Sequence, residues 1–245
     1  MKRTIATLLL GAAALTAADE LQVGELKQHI EFGYLGTSGN SESNTLNAVY
    51  SNDYQWTVKT DAHFKTDAFY GDKDGEKTDE RYRAYGIVNH HYDEDQWYSY
   101  AEAGALRNTF EGYNQQYNAG LGMGYVFIDD KTQLFKVRGG YQYRHANFTD
   151  GTDDDFHYLK AGANYNYYFT EKNRIESELN LLEDLEKAKD FETVFRVAVV
   201  VWMVDSLSLK VGLEVKYDNT PPLDDDGNEL KKTDTTTTVG IVYDF

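Results

Sequence analysis

The sequence predicts an all-β protein, a transmembrane antiparallel β-barrel of about twelve strands and of outer-membrane type, and three observations carry that expectation. The first is the stretch Thr233 to Phe245, TDTTTTVGIVYDF. Thr235, Thr237, Val239, Ile241, Tyr243 and Phe245 share one face; Thr236, Thr238, Gly240, Val242 and Asp244 share the other. A period of two with the larger apolar groups on one side is the mark of a strand that is apolar on one face. As the edge strand of a soluble sandwich it would hold that face in water; in a barrel the face meets lipid, with Phe245 in the interfacial girdle. The second is composition: 20 Tyr and 20 Gly against only 2 Pro favour strands with close backbone approaches. The third is the start of the chain, where residues 1–18 read as a secretory signal peptide. Lys2 and Arg3 supply the positive end, Ile5 to Leu15 the apolar run and Thr16-Ala17-Ala18 the small-residue cleavage site.

These features bound what remains. Residues 19–245 form one outer-membrane β-barrel domain without an evident linker. The apolar run of the leader is too short to span a membrane, and a mean hydropathy below zero excludes a bundle of membrane helices. It does not exclude a barrel, in which only alternate residues meet lipid. With no Cys, neither disulfide nor thiolate chemistry is open to the chain. A formal charge of −17, about −19 once the leader is removed, makes nucleic acid an improbable partner.

The strands follow in order. Glu25 to Leu35 sets Ile30, Phe32 and Tyr34 on one face, and Asn44 to Tyr50 returns with Leu46, Ala48 and Tyr50 outward. Ser51-Asn52-Asp53 reads as a tight turn into Gln55 to Tyr70. There Trp56, Val58, Ala62 and Phe64 oppose Lys59, Asp61, His63, Lys65 and Asp67. After the polar stretch GDKDGEKT, Asp79 to Tyr92 puts Arg81, Arg83, Tyr85 and Asn89 opposite Tyr82, Ala84 and Val88. Trp97 to Phe110 follows. Gln116 to Phe127 turns Tyr117, Leu121, Met123 and Phe127 outward and Gly120, Gly122 and Gly124 inward, so that side chains from across the lumen can approach the wall. Gln133 to His145 carries Lys136, Arg138 and Arg144 inward. Phe156 to Phe169, after an Asp-rich loop at Asn147 to Asp155, carries Tyr158, Lys160 and Asn164. Arg174 to Leu182, Glu192 to Met203 and Leu207 to Tyr217 add Arg174, Glu176, Glu178, Arg196, Lys210, Glu214 and Lys216 before the closing strand.

An even count puts both termini on the periplasmic side, with short turns near Ser51, Asp93, Asp129, Thr170 and Val204 and longer acidic loops outside. One stretch pulls the other way. ESELNLLEDLEKAK, Glu176 to Lys189, is rich in helix formers and has Leu179, Leu182 and Glu186 at helical spacing. Its place between two strands favours a strand followed by a loop.

Four segments, TSGNSESNTLNA (Thr37 to Ala48), ERYRAYG (Glu80 to Gly86), KYDNTPP (Lys216 to Pro222) and above all KKTDTTTTVGIVYDF (Lys231 to Phe245), resemble the salt-induced outer-membrane, or YdiY-like, family. The resemblance spans nearly all of residues 19–245. It implies a barrel in the bacterial outer membrane and a link to osmotic or salt stress, but no functional residues.

No motif in the sequence points to catalysis. DDDGNE (Asp224 to Glu229) and DKDGE (Asp72 to Glu76) lack the alternating oxygen ligands of a calcium loop. The six His show no ligand spacing. No Ser nucleophile motif accompanies His90, His145 or His157, so a lipid-active enzyme is the least supported reading. No cofactor or metal is expected, and the partners expected are outer-membrane lipid, lipopolysaccharide and the barrel-assembly machinery. That machinery would read Val239, Ile241, Tyr243 and Phe245 as an insertion signal.

The lumen carries the functional expectation. Lys59, Lys65, Arg81, Arg83, Lys136, Arg138, Arg144, Lys160, Arg174, Arg196, Lys210 and Lys216 outnumber the inward acids Asp61, Asp67, Glu102, Glu176, Glu178 and Glu214. A mildly basic interior would line a narrow porin-like channel for ions or small polar solutes. Alternatively, the charges pair across the lumen and fill it, leaving a structural or surface-interaction barrel; pairing offsets their desolvation. Barrels of about eight strands are filled and those of about sixteen are open, so a count between them leaves both readings standing.

Overall fold

The computed structural model describes residues 22–37, 43–92, 96–187, 190–223 and 230–245. The expected leader, residues 1–18, lies outside the described residues. Twelve antiparallel strands close into one barrel. They are β1 (Leu26–Thr37), β2 (Ser43–Thr57), β3 (Thr60–Lys73), β4 (Glu76–His91), β5 (Trp97–Asn108) and β6 (Tyr113–Asp129), followed by β7 (Gln133–Phe148), β8 (Asp153–Tyr168), β9 (Arg174–Asp184), β10 (Phe191–Val204), β11 (Leu207–Asp218) and β12 (Thr233–Asp244). Each pairs with its sequence neighbours, and β1 closes on β12 with Ile30 opposite Tyr243 and Phe32 opposite Ile241. Closure pairs every strand on both sides, as hydrocarbon requires of a spanning sheet, with the β1–β12 seam the shortest, running only from His29 to Phe32 against Ile241 to Asp244.

Strand alternation sorts the side chains. On β3, His63, Lys65, Asp67 and Phe69 are buried while Phe64 and Tyr70 are exposed; on β6, Tyr117, Leu121, Met123 and Phe127 face out. Aromatic side chains gather in two outward rims. Beside the termini, Trp97, Tyr125, Phe127 and Phe135 make successive ring contacts at 5.0, 4.8 and 5.4 Å, and Tyr243 stacks on Phe245. Tyr34, Tyr70, Tyr82, Tyr117 and Tyr143 stand exposed toward the other end. From Phe127 to Tyr117 is about ten residues of strand, roughly 25 Å of height at ~3.3 Å each and a tilt of about 40°, which matches the apolar band of an outer-membrane barrel.

Turn positions differ from the sequence reading. Ser51-Asn52-Asp53 is not a turn: β2 runs on to Thr57, and Val58 and Lys59 make the connection to β3. Ser51 and Asp53 are inward residues of a continuous strand, where Asp53 pairs with His63 at 2.8 Å. GDKDGEKT is no loop either. β3 and β4 run into it from both sides and meet at Asp74-Gly75, whose φ values of +53° and +83° are those of a tight hairpin turn. The Asp-rich segment likewise shrinks to the few residues between Phe148 and Asp153. Arg174 to Leu182 is strand, as expected, and β9 runs two residues further into the expected loop, because Glu176, Asn180, Leu182 and Asp184 turn inward in alternation. Pairing on both sides overrides the local helix preference; Ala188 and Lys189 lie outside the described residues.

Candidate functional site

The inward face carries a ladder of charges that alternate in sign across the lumen. Asp67 on β3 accepts from Arg83 Nε on β4 at 2.8 Å, and the neighbouring Arg81 donates to Glu214 on β11 at 3.3 Å. β4 and β11 lie far apart around the ring, so this second bond spans the interior. Glu214 also accepts from Arg196 on β10, which donates to Glu178 on β9 at 3.1 Å. Arg138 on β7 stands 3.7 Å from Glu178 and 3.6 Å from Glu102 on β5. Glu102 closes the ladder by accepting from Lys160 on β8 and from Tyr85 on β4. Each of these glutamates therefore sits between at least two cations, an arrangement that can repay the cost of burying charge.

Two further tiers flank the ladder. Nearer the termini, Arg174 donates to Glu176 at 2.7 Å, and Lys210 lies 3.2 Å from Glu176 and 3.7 Å from Glu31. This group is shut away from water, with Glu31 0% and Lys210 1% exposed. Toward the opposite end, Arg144 holds both oxygens of Glu192 on β10 and lies over the ring of Tyr158. Lys216 on β11 crosses to Glu111 at 2.8 Å, the glutamate being presented by a short 3-10 turn (Thr109–Glu111) after β5.

The structure thus brings Arg81, Arg83, Lys160, Arg138, Glu178, Arg196 and Glu214 into one connected group. Arg174, Glu176 and Lys210 form a second, and Arg144 and Lys216 belong to the third. Lys59 is corrected: it stands in the turn between β2 and β3, outside any strand. Asp61 accepts from Asn89 and His91 at 2.7 and 2.8 Å rather than joining the ladder. Lys136 and Lys65 point inward with no hydrogen bond or ion pair to the other described residues. The expected basic surplus shrinks, because Glu31, Glu192 and Glu111 also face in. Alternation along β1 and β10 would have found the first two; nothing in the sequence marks Glu111, which hangs from a turn.

The inward glycines receive side chains from the next strand, not from across the lumen. The ring of Tyr98 lies over Gly124, 2.1 Å from where a Cβ would stand, and Tyr100 lies over Gly122 and Gly140. In effect the glycines make room for two tyrosines laid flat along the wall. What the tiers leave open is a cavity of about 240 Å³, lined by Lys65, Arg81, Arg83, Gln116, Asn118 and Gln142 among others. On the outer face, His145 pairs with Asp155 and His157 with Tyr141. No group of three or more potential metal ligands occurs among the described residues. DKDGE forms the β3–β4 hairpin, and Asp224 to Glu229 lies outside the described residues.

Comparison with known proteins gives the following. The family described as "Protein of unknown function, DUF481" matches residues 30–245. The uncharacterized protein YdiY of Escherichia coli (strain K12) is 23% identical over 220 residues, covering 88% of this chain and 81% of that one. The fold is similar to the COG4313 outer membrane channel from Pseudomonas putida F1, with a TM-score of 0.57, 12% identity and 96% and 100% of the two chains covered. It is also similar to the translocator domain of the autotransporter NalP from Neisseria meningitidis, with a TM-score of 0.52, 12% identity and 94% and 91% covered.

Proposed function

The chain belongs to the DUF481 family of proteins of unknown function, and we propose that it forms a narrow porin-like channel for ions or small polar solutes in the bacterial outer membrane. The observation that carries the reading is the ladder from Asp67 to Lys160: alternating charges cross the lumen beside a cavity of about 240 Å³. Fixed charges at a constriction select by sign and size, admitting small hydrated solutes and excluding larger ones. A second reading, a structural or surface-interaction barrel with an occluded lumen, draws on the pairs Arg81–Glu214 and Lys216–Glu111, which tie distant walls together.

The surroundings follow from the same geometry. The two aromatic rims suit outer-membrane lipid and lipopolysaccharide around the barrel. The outward stripe Val239, Ile241, Tyr243 and Phe245 suits recognition by the barrel-assembly machinery during insertion. The link to osmotic or salt stress implied by the YdiY-like resemblance completes the proposal. Recording the refolded protein in a planar bilayer tests the reading. Small discrete conductance steps are expected; a flat baseline at all voltages would leave the occluded barrel.

A further inference from the structure

Most charged groups inside this barrel are ion-paired, and among those that are not, Lys65 faces the cavity. Lys65 is only 9% exposed, yet its ammonium makes no hydrogen bond and no ion pair to any described residue. Gln116, 8% exposed on β6, and Asn118, two residues further along the same inward face, also have side-chain amides without a hydrogen-bond partner among the described residues. All three line the same space of about 240 Å³, with Arg83 and Gln142 beside them. None of the three polar groups is sealed from this space, so each is open to whatever occupies the cavity, and their chemistry describes what suits it.

We propose that this cavity is a binding site for a small hydroxylated organic acid, with Lys65 holding the carboxylate and Gln116 and Asn118 hydrogen-bonding the hydroxyls. Asp67 and Glu31 act on the Lys65 ammonium from beyond ion-pair distance, which leaves it able to take an oxyanion directly. Amides both donate and accept, so they suit hydroxyl groups, which do the same. The size admits it: a cavity of about 240 Å³ has room for several waters, and so for a solute as large as a monosaccharide acid. The inference rests on the lumen being a solute path, and it names the class of solute that would pause there.

The test is calorimetric titration of the full-length mature barrel in detergent with glucuronate and gluconate, using glucose and acetate as comparators. Saturable binding of the two acids is expected, with glucose and acetate each at least tenfold weaker. Lys65→Gln should weaken acid binding at least tenfold and Lys65→Arg should restore most of it. The pair Gln116→Ala and Asn118→Ala should bring the acids down toward acetate. Absence of saturable heat, or equal binding by wild type and Lys65→Gln, would mean that the cavity holds only water and would overturn the proposal. Should Lys65→Gln fail to refold, the amide variants and the comparator series decide alone. Binding in detergent does not need a conducting pore. Conductance without binding therefore removes this site and keeps the channel, and binding without conductance does the reverse.

Discussion

The middle ladder and the tier beside the termini use the same chemistry in different surroundings. In the ladder, Arg83 keeps a quarter of its side chain exposed, and Glu214 is shared by Arg81, Arg83 and Arg196. Removing one member leaves the others with a partner or with water. In the tier beside the termini, Lys210 is the ion-pair partner of Glu31 and stands on Glu176 as well, and all three are at most 2% exposed. Neither oxygen of Glu31 accepts any hydrogen bond. On the proposed channel reading, the difference separates a charged filter that water can enter from a dry clasp that ties β1, β9 and β11 together. Stability should therefore rest more on the clasp, and ion preference more on the filter.

The comparison breaks or holds on Lys210→Met. It strands Glu31 in a dry interior and leaves Glu176 with Arg174 alone, and one-sided removal from a buried ion pair costs about 3–5 kcal/mol. Denaturant unfolding in lipid vesicles, followed by tryptophan fluorescence, should show a loss of that size. A loss below about 1 kcal/mol would mean that water reaches the clasp and that the two tiers are alike. Glu214→Gln comes next. Its three arginines keep Asp67 and Glu178, so the expected cost is smaller, about 1–3 kcal/mol. The larger change should be in bilayer recordings, where the reversal potential moves toward anion preference. An unchanged potential would place the selecting charges elsewhere.

How much of this could be read in the sequence depends on which physical signal was present. Alternation fixed the barrel, its strand number and the inward direction of Arg81, Arg138, Arg196 and Lys210, because lipid favours apolar residues on the outward positions of the band. Turns were less legible, for a related reason. A polar lumen fills strands with Ser, Asn and Asp, so Ser51-Asn52-Asp53 has turn composition while lying in mid-strand. The same holds for Asp153 to Asp155, which extend β8. That charges could pair across the lumen was legible, but which ones do was not. That Arg81 meets Glu214 depends on barrel curvature and strand tilt, which no local pattern records. Glu111 shows the limit, since a 3-10 turn of three residues delivers it to Lys216.

The smallest expected effect supplies the outer bound of the comparison. Lys187, just past β9, donates to Asp154 at 3.0 Å, with both side chains about half exposed. That hydrogen bond holds the Lys187 ammonium above its usual pKa. The raised value means that any stabilisation is complete below the ordinary lysine range and fades only as alkaline pH titrates the amine. Near neutral pH the lysine is therefore charged, but water screens the pair and a long side chain must be ordered to form it. Lys187→Ala should cost no more than about 0.5 kcal/mol in the same unfolding measurement. A cost near that of Lys210→Met would show that ion pairs here stabilise by number and not by dryness, and the distinction between clasp and filter would fall with it.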